Sequence, residues 1–321
     1  MEKFFFYINY YMNKEEFIKL VEKKPYILGQ GSGLLSQRYK ISRESVLEVK
    51  RKYNSNNSNK RIEQELKNTR ILILDIETSP MKAYVWSRWH ENVYLEQTIS
   101  EWFCLAWSAK WLYSGEIMGE ILTSEEVANE DDKRIMTKLH TLLNQADIVV
   151  AHNGVKFDLP KINSRFIING LTPTTPYFII DTYLIAKKQF GFSSNKLDAL
   201  ASYFNIPHKF ETDFNLWRNC MEGNEKALKY MLEYNKRDVA ILEEVYLRLR
   251  PWIKNHPNIG NLENLECACA NCGSTDYEVL VGEYYFTNVG KYQLYRCKKC
   301  DAIFRSRKSE KFKIKTTNIS R

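Results

Sequence analysis

Residues 70–78, Arg-Ile-Leu-Ile-Leu-Asp-Ile-Glu-Thr, form a short aliphatic run with two acids near its end. The run has the length and apolar character of a buried strand, and a period of two puts Asp75 and Glu77 on one face. A second aliphatic run, Asp147-Ile148-Val149-Val150, leads into Ala151-His152-Asn153-Gly154-Val155-Lys156-Phe157-Asp158. Asp158 is therefore expected on the turn or helix that leaves a strand end, where open α/β sheets carry their sites. Further along, Val239, Leu242 and Tyr246 repeat at helical spacing, so Tyr234 and Asp238, four residues apart, share a helix face. The expected fold class is α/β.

This set of residue types points to one chemistry. In-line attack of water on a phosphodiester needs a nucleophile activated near neutral pH and stabilisation of charge on the leaving oxygen, and two divalent ions about 3.5–4 Å apart do both. Hard ions such as Mg²⁺ or Mn²⁺ favour carboxylate oxygens. Asp75, Glu77, Asp158 and Asp238 supply the carboxylates, and the Tyr234 phenol and Asp238 are placed to meet one water. Each motif alone is weak: an Asp-x-Glu pair and a Tyr-x3-Asp on a helix are both common, and Asp158 alone has a plain reading as an N-cap or a solvated acid. It is their order and their placement on the expected elements that favours the site. Asp181, at the end of Tyr177-Phe178-Ile179-Ile180, is expected to cap the following helix.

On these residues the chain resembles the DEDD 3′-to-5′ exonucleases of the RNase H-like fold, in the branch with a tyrosine in its third motif, as in the proofreading domains of family B DNA polymerases. The matching segments are Asp75-Ile76-Glu77-Thr78, then Asn153 through Phe157-Asp158, then Tyr234-Asn235-Lys236-Arg237-Asp238. The sister branch has a histidine where this chain has Glu233. Ser194 through Ala201 resembles the helix start that precedes the third motif. The resemblance spans about residues 70 to 250 and implies an RNase H-like mixed-sheet core. It further implies that Asp75 bridges two Mg²⁺ or Mn²⁺ ions, that Glu77 and Asp238 complete the first, and that Asp158 holds the second largely through water. Tyr234 would orient the attacking water, and Thr78, Asn153 and Phe157 would line the nucleic acid.

The flanks carry charge of the opposite sign to the centre. Residues 291–321 hold eleven Lys/Arg against two acids and residues 36–61 eight against two, so the net +8 of the chain conceals a central segment, 62–290, of net charge −8. Binding of a polyanion is thus expected at the flanks; the plain alternative is that these cations solubilise the ends of the chain. Residues 1–53 read as a small helical module. Asn13-Lys14-Glu15-Glu16 is a capped start leading into Phe17, Leu20 and Val21. A second helix is expected from Leu34 to Tyr39 and a third from the Ser42 N-cap through Val46, Val49 and Tyr53. Leu35 to Val46 resembles a DNA-binding helix-turn-helix. Packing against a partner is the alternative role. Gly29, Gly31 and Gly33 follow no strand and read as a flexible connection, and residues 54–69 as a linker.

After the core (70–255), residues 265–304 contain Cys269-Ala-Asn-Cys272 and Cys297-Lys-Lys-Cys300, separated by 24 residues rich in Tyr and Val. Paired knuckles of this kind read as a zinc ribbon holding one structural Zn²⁺, with disulfides as the competing account. Cys267 is a spare thiol, and Cys104 and Cys220 read as core thiols. Residues 305–321 form a basic tail. Tyr84, Trp86, Trp89 and His90 follow the first motif, and Trp102, Trp107 and Trp111 lie in an alternating stretch that reads as a strand. Most of these rings are expected in the core, with base stacking as the functional alternative.

The chain has 321 residues, 44% of them hydrophobic, and no apolar run of the ~18 residues that a membrane span needs. The aromatic Phe4–Tyr11 segment is short, follows an acid and lacks a cleavage site, so a cytoplasmic protein is expected, in a bacterium or a phage-infected host. The favoured expectation is an exonuclease acting on single-stranded DNA or frayed 3′ ends, in an arrangement resembling phage replication or repair proteins, with any DNA polymerase a separate partner. The alternatives are an RNA-processing exonuclease of the same fold and a catalytically silent DNA-binding adaptor.

Overall fold

The computed structural model describes residues 13–23, 36, 39–50, 69–87, 89, 92–207, 212–265, 267–288 and 290–310. The chain divides into two compact units, residues 1–67 and 68–321.

In the first unit, α1 (Lys14–Lys23) starts as its sequence requires. Asn13 Oδ1 accepts from the Glu16 backbone N–H at 2.9 Å, and Glu16 reaches back to the Asn13 N–H at 3.0 Å, a reciprocal capping box. Helix α2 (residues 43–50) is capped by Ser42, whose Oγ accepts from the Ser45 N–H at 3.1 Å. Phe17 and Val21 of α1 pack with Ile41, Val46 and Val49 in a small core. The glycine-rich connection at 29–33, most of the expected 34–39 helix, Tyr53, all but the last residue of the 54–69 linker, His90, residues 311–321 of the basic tail and the aromatic N-terminal run lie outside the described residues.

The second unit is built on five strands: β1 (Ile71–Thr78), β4 (Cys104–Trp111), β5 (Met118–Ile121), β6 (Ile148–Ala151) and β7 (Phe178–Asp181), with the two-stranded β2 (Lys82–Ala83) and β3 (Thr98–Ser100) beside them. The order is β5-β4-β1-β6-β7, antiparallel between β5, β4 and β1 and parallel from β1 through β6 to β7. β1 is the central strand, paired on both sides, which accounts for its nearly unbroken run of buried aliphatic residues. Leu72, Leu74 and Ile76 face a core completed by α3 (Lys133–Leu143) and α4 (Asp158–Ile168). Ile71 and Ile73 face the other way, onto Val239, Leu242 and Tyr246 of the 25-residue α7 (Glu225–Leu249). Between them in sequence lie α5 (Thr182–Gln189) and α6 (Phe214–Met221). The unit is a mixed α/β sheet layered with helices.

Buried charge in this core is paired. Asp132, wholly buried, accepts from Arg165 Nε at 2.6 Å and Nη2 at 3.0 Å, from Asn169 Nδ2 at 2.7 Å and from the Cys104 N–H at 2.9 Å. Trp107 is also core, its indole N–H donating to the Ile135 carbonyl at 2.8 Å. Trp102 precedes β4, whose inner faces are both covered, so the alternation expected across Trp102–Trp111 is absent. Cys104 and Cys220 are buried free thiols.

The C-terminal part of the unit is a three-stranded sheet, β8 (Tyr277–Thr287), β9 (Gly290–Cys297) and β10 (Ile303–Arg305), in the order β10-β9-β8. It is pinned to the end of α7 and the start of β1. Arg250 Nε donates to the Asn271 carbonyl and Asn271 Nδ2 to the Arg250 carbonyl, both at 2.7 Å, and Glu263 accepts from the Thr69 N–H at 2.8 Å. Among the described residues no helix is long and apolar enough to cross a membrane.

Candidate metal centre and nuclease site

Because Asp75 and Glu77 share the β1 face that α7 crosses, helix and strand bring their acids together. One carboxylate oxygen from each of Asp75, Glu77 and Asp238 lies within 4.8 Å of the others. Tyr234 and Asp238, one helical turn apart, are joined by a hydrogen bond from the phenol to the carboxylate. Asn235, fully buried beside them, donates its Nδ2 to Asp75 Oδ2 at 2.6 Å.

Asp158 opens α4 and approaches from the other side of β1, where its Oδ1 accepts from the Ile76 N–H at 3.3 Å. It stands outside the three-carboxylate group and close enough to raise the proton affinity of Asp75 and Glu77. The loop that delivers it is held by Asp181. That side chain caps α5 through the Leu184 N–H at 3.1 Å, and it also accepts from the Asn153 N–H at 3.0 Å and the Val155 N–H at 3.1 Å. Asn153 adopts φ +63°, and a Cβ on Gly154 would stand 2.4 Å from that of Ala151, so the tight turn requires glycine there.

Four carboxylates, half-buried or buried together, repel one another. Burial, then the charges of Asp158, Glu77 and Asp238, push Asp75 well above the usual carboxylate range. Burial, then Asp238 and Asp158, raise Glu77 to about 8. Burial raises Asp158 to about 7 against the opposing Ile76 N–H, and raises Asp238 to about 6 against the bond from Tyr234. Burial and then the Asp238 charge push the Tyr234 phenol up as well, keeping it protonated. All-oxygen donors that repel one another in this way suit a divalent cation, whose charge offsets the repulsion.

Of the residues expected to line nucleic acid, Thr78 ends β1 at a bulge, where its partner shifts from Ala106 to Cys104. Phe157 is 39% exposed immediately before Asp158. Lys161, one turn along α4, lies 3.7 Å from the centroid of Trp102 and 5.1 Å from that of Phe157, so an ammonium and two rings adjoin the acids. Tyr84, Trp86 and Trp89 are 76%, 95% and 79% exposed, unlike Trp107.

Sequence reasoning missed Asn235, Lys161 and the second role of Asp181. Asn235 sits beside Tyr234, and its burial was the missing signal. The Asp181 contacts depend on the β6–β7 pairing, which sets Ala151 opposite Asp181.

In the three-stranded sheet, Cys269, Cys272, Cys297 and Cys300 cluster, with Sγ···Sγ distances of 3.7 Å (Cys269–Cys300) and 3.5 Å (Cys272–Cys297). Zn–S bonds of about 2.3 Å in a tetrahedron put sulfurs about 3.8 Å apart, whereas a disulfide puts them near ~2.05 Å. The four thiols are free and fit the metal. Each knuckle closes on a residue of positive φ, Gly273 (+71°) and Asp301 (+61°), donating to the carbonyls of Cys269 and Cys297. Cys267 is exposed and outside the group.

Residues 115–250 match the RNase_H superfamily. The core is an RNase H-like domain. The matched segment contains Asp158, Tyr234 and Asp238, while Asp75 and Glu77 precede it. Over 146 residues, 44% of this chain, the sequence is 27% identical to the PolC-type DNA polymerase III of Ureaplasma parvum serovar 3. That match spans only 10% of the polymerase. Among solved structures, the family B DNA polymerase of the hyperthermophilic archaeon Pyrobaculum calidifontis aligns with a TM-score of 0.41 and 14% identity, covering 58% of this chain and 26% of the polymerase. The four clustered cysteines lie C-terminal to the matched segment.

Proposed function

We propose that this protein is a metal-dependent 3′-to-5′ exonuclease that hydrolyses the terminal phosphodiester of single-stranded or frayed DNA, in replication or repair. The observation that carries the reading is the convergence of Asp75, Glu77 and Asp238, with Asp158 beside them, in one group within an RNase H-like domain. The similarity to a PolC-type DNA polymerase makes DNA the favoured substrate.

Asp75, Glu77 and Asp238 would hold one Mg²⁺ or Mn²⁺ ion, and Asp75 with Asp158 a second. Bound there, the ions supply Lewis acidity toward the phosphodiester and lower the pKa of water. Tyr234, protonated and fixed against Asp238, orients the water by hydrogen bonding. Asn235 holds the Asp75 carboxylate in place from behind. Phe157 and Thr78 flank the group, where a terminal base would stack and a sugar would rest. We assign residues 70–255 as the catalytic domain and the four-cysteine ribbon as a structural zinc site, since four protein thiolates leave no open position.

The test offers 5′-labelled and 3′-labelled single strands of DNA and of RNA to the protein in Mg²⁺, in Mn²⁺ and without divalent ion. The expected result is a ladder shortening from the 3′ end, metal-dependent and faster on DNA. Faster cleavage of RNA would reassign the substrate, and products from internal cuts would overturn the exonuclease reading.

A further inference from the structure

A cleft of about 610 Å³ opens between the three-stranded sheet and the segment 258–270. Its floor is aromatic. Tyr277, Tyr295 and Phe304 come from three different strands and pack on one another with ring centroids 5.3–5.6 Å apart. Tyr295 and Phe304 are near-parallel, 21° between planes, and Tyr277 stands edge-on to both. All three rings are only partly buried.

The facing wall is mixed, with Asn258 and Asn261 beside Leu265, Ala268 and Ala270. The rim is cationic. Arg307 and Lys308 are exposed there, and Arg307 Nη2 donates to Asn261 Oδ1, spanning from one wall to the other. Arg305 adjoins the cleft, but strand alternation sends its guanidinium to the opposite face, over Tyr292 at 4.1 Å. No acid is found among the described residues that line the cleft. Residues 258–310 as a whole hold seven Lys/Arg and seven acids, and Lys291, Arg296 and Lys298 are paired with Glu310, Glu278 and Asp276, so the positive charge at the cleft is that of Arg307 and Lys308 on its rim.

Location separates this cleft from the carboxylates. Its 258–270 wall is tied through Glu263 to Thr69, at the start of β1, whereas Asp75 and Glu77 lie towards the end of that strand. At about 3.3 Å per residue, Asp75 lies roughly 20 Å along β1 from Thr69, where that wall is attached.

An apolar ligand would have no use for the cationic rim, and a free anion none for the rings. A nucleotide unit presents a planar base and a phosphate together. In a duplex the base faces are covered by their neighbours, so a single strand is the form that fits. We propose that this cleft is a second nucleic-acid site, which seats a base of a single strand against Tyr295 and Phe304 with the adjoining phosphates on Arg307 and Lys308. The site does not depend on the carboxylate cluster being a nuclease.

The test uses the full-length zinc-loaded protein without added Mg²⁺ or Mn²⁺, so that binding is read in the absence of cleavage. Oligothymidylate carrying 5-iodouracil, which couples under long-wavelength light to a ring it stacks on, should yield adducts at Tyr277, Tyr295 or Phe304. By fluorescence anisotropy, the double variant Arg307→Gln/Lys308→Gln, on the exposed rim, should lower the slope of log affinity against log salt by about 1.4, two phosphates at ~0.7 each. Tyr295→Ser should weaken oligothymidylate about tenfold and an abasic strand of equal length far less; one zinc per chain would show that this variant keeps its fold. Absence of adducts on the three rings, or an unchanged salt slope in the rim variant, would overturn the proposal. Competition by oligoglutamate as effective as by oligothymidylate would also overturn it, in favour of an acidic peptide. A wild-type protein that binds in this way yet cleaves nothing in Mg²⁺ would refute the nuclease reading alone.

Discussion

Asp75→Asn is expected to make the metal-free protein more stable while abolishing its activity. Asp75 is held well above its usual pKa by burial and by three neighbouring carboxylates, and Glu77 beside it moves from 4.5 to about 8. Both shifts mean that the folded state resists these charges more than the unfolded chain does. A shift the size of that at Glu77 corresponds to about 5 kcal/mol at full ionisation, at 1.36 kcal/mol per pH unit. Local relaxation and water entry reduce this, and about 2–3 kcal/mol is a reasonable expectation for removing one charge from the cluster. Asparagine retains an oxygen to accept from Asn235 Nδ2, so the packing is preserved. A raised carboxylate pKa contributes stability that is full below the unfolded value and is lost as pH rises through the folded value. Metal-free wild-type protein should therefore lose stability between about pH 4.5 and pH 8, and the variant should lose less. Thermal melts at pH 5.5 and 8 are the assay, with a rise in Tm of about 5–10 °C for the variant at pH 8. Added Mg²⁺ should stabilise the wild type and do little for the variant. A variant that melts below the wild type at pH 8, or a wild type that gains stability from pH 5.5 to 8, would refute the reasoning.

Tyr234→Phe removes the phenol that contacts Asp238 but no proposed ligand, so single-turnover cleavage should slow about 10²-fold with an unchanged Mn²⁺ midpoint; rescue by more metal would show a ligand role instead. Arg165→Met leaves the buried Asp132 without its two guanidinium bonds and should cost about 3–5 kcal/mol, read by urea unfolding. Gly273→Ala demands φ +71° of a residue whose new Cβ would stand 2.9 Å from Ile259 Cγ2. It should destabilise the first knuckle by about 1–2 kcal/mol and speed zinc loss to a chelator, which a chromogenic zinc indicator records.

The parts of this fold that were legible in the sequence are those governed by short-range periodicity. Aliphatic residues around Asp75 and Glu77 marked β1 and the face its acids share, and helical spacing joined Tyr234 to Asp238. Knuckle spacing brought together Cys269, Cys272, Cys297 and Cys300, and the Asn13 and Ser42 caps formed as their sequences require. What escaped depends on contacts distant in sequence. Asn235 is adjacent to Tyr234 and so lies about 100° around the helix from it, yet it reaches Asp75 because α7 crosses β1 at that point. Asp181 was legible as a cap, but its hold on the 153–155 turn requires β7 to lie beside β6. The ribbon's aromatic cleft likewise exists only once the 258–270 segment folds back against the sheet. Alternation across Trp102–Trp111 misled because β4 is covered on both faces and Trp102 precedes it.

The central claim is that the carboxylate cluster hydrolyses nucleic acid, and single-turnover digestion of a 5′-labelled single-stranded DNA in Mg²⁺ by wild-type, Asp75→Ala and Asp238→Ala proteins tests it most directly. The account predicts a ladder that shortens from the 3′ end with the wild type and no product from either variant, each retaining its near-ultraviolet circular dichroism and its zinc. A cleanly prepared Asp75→Ala protein that still degrades the strand would contradict it.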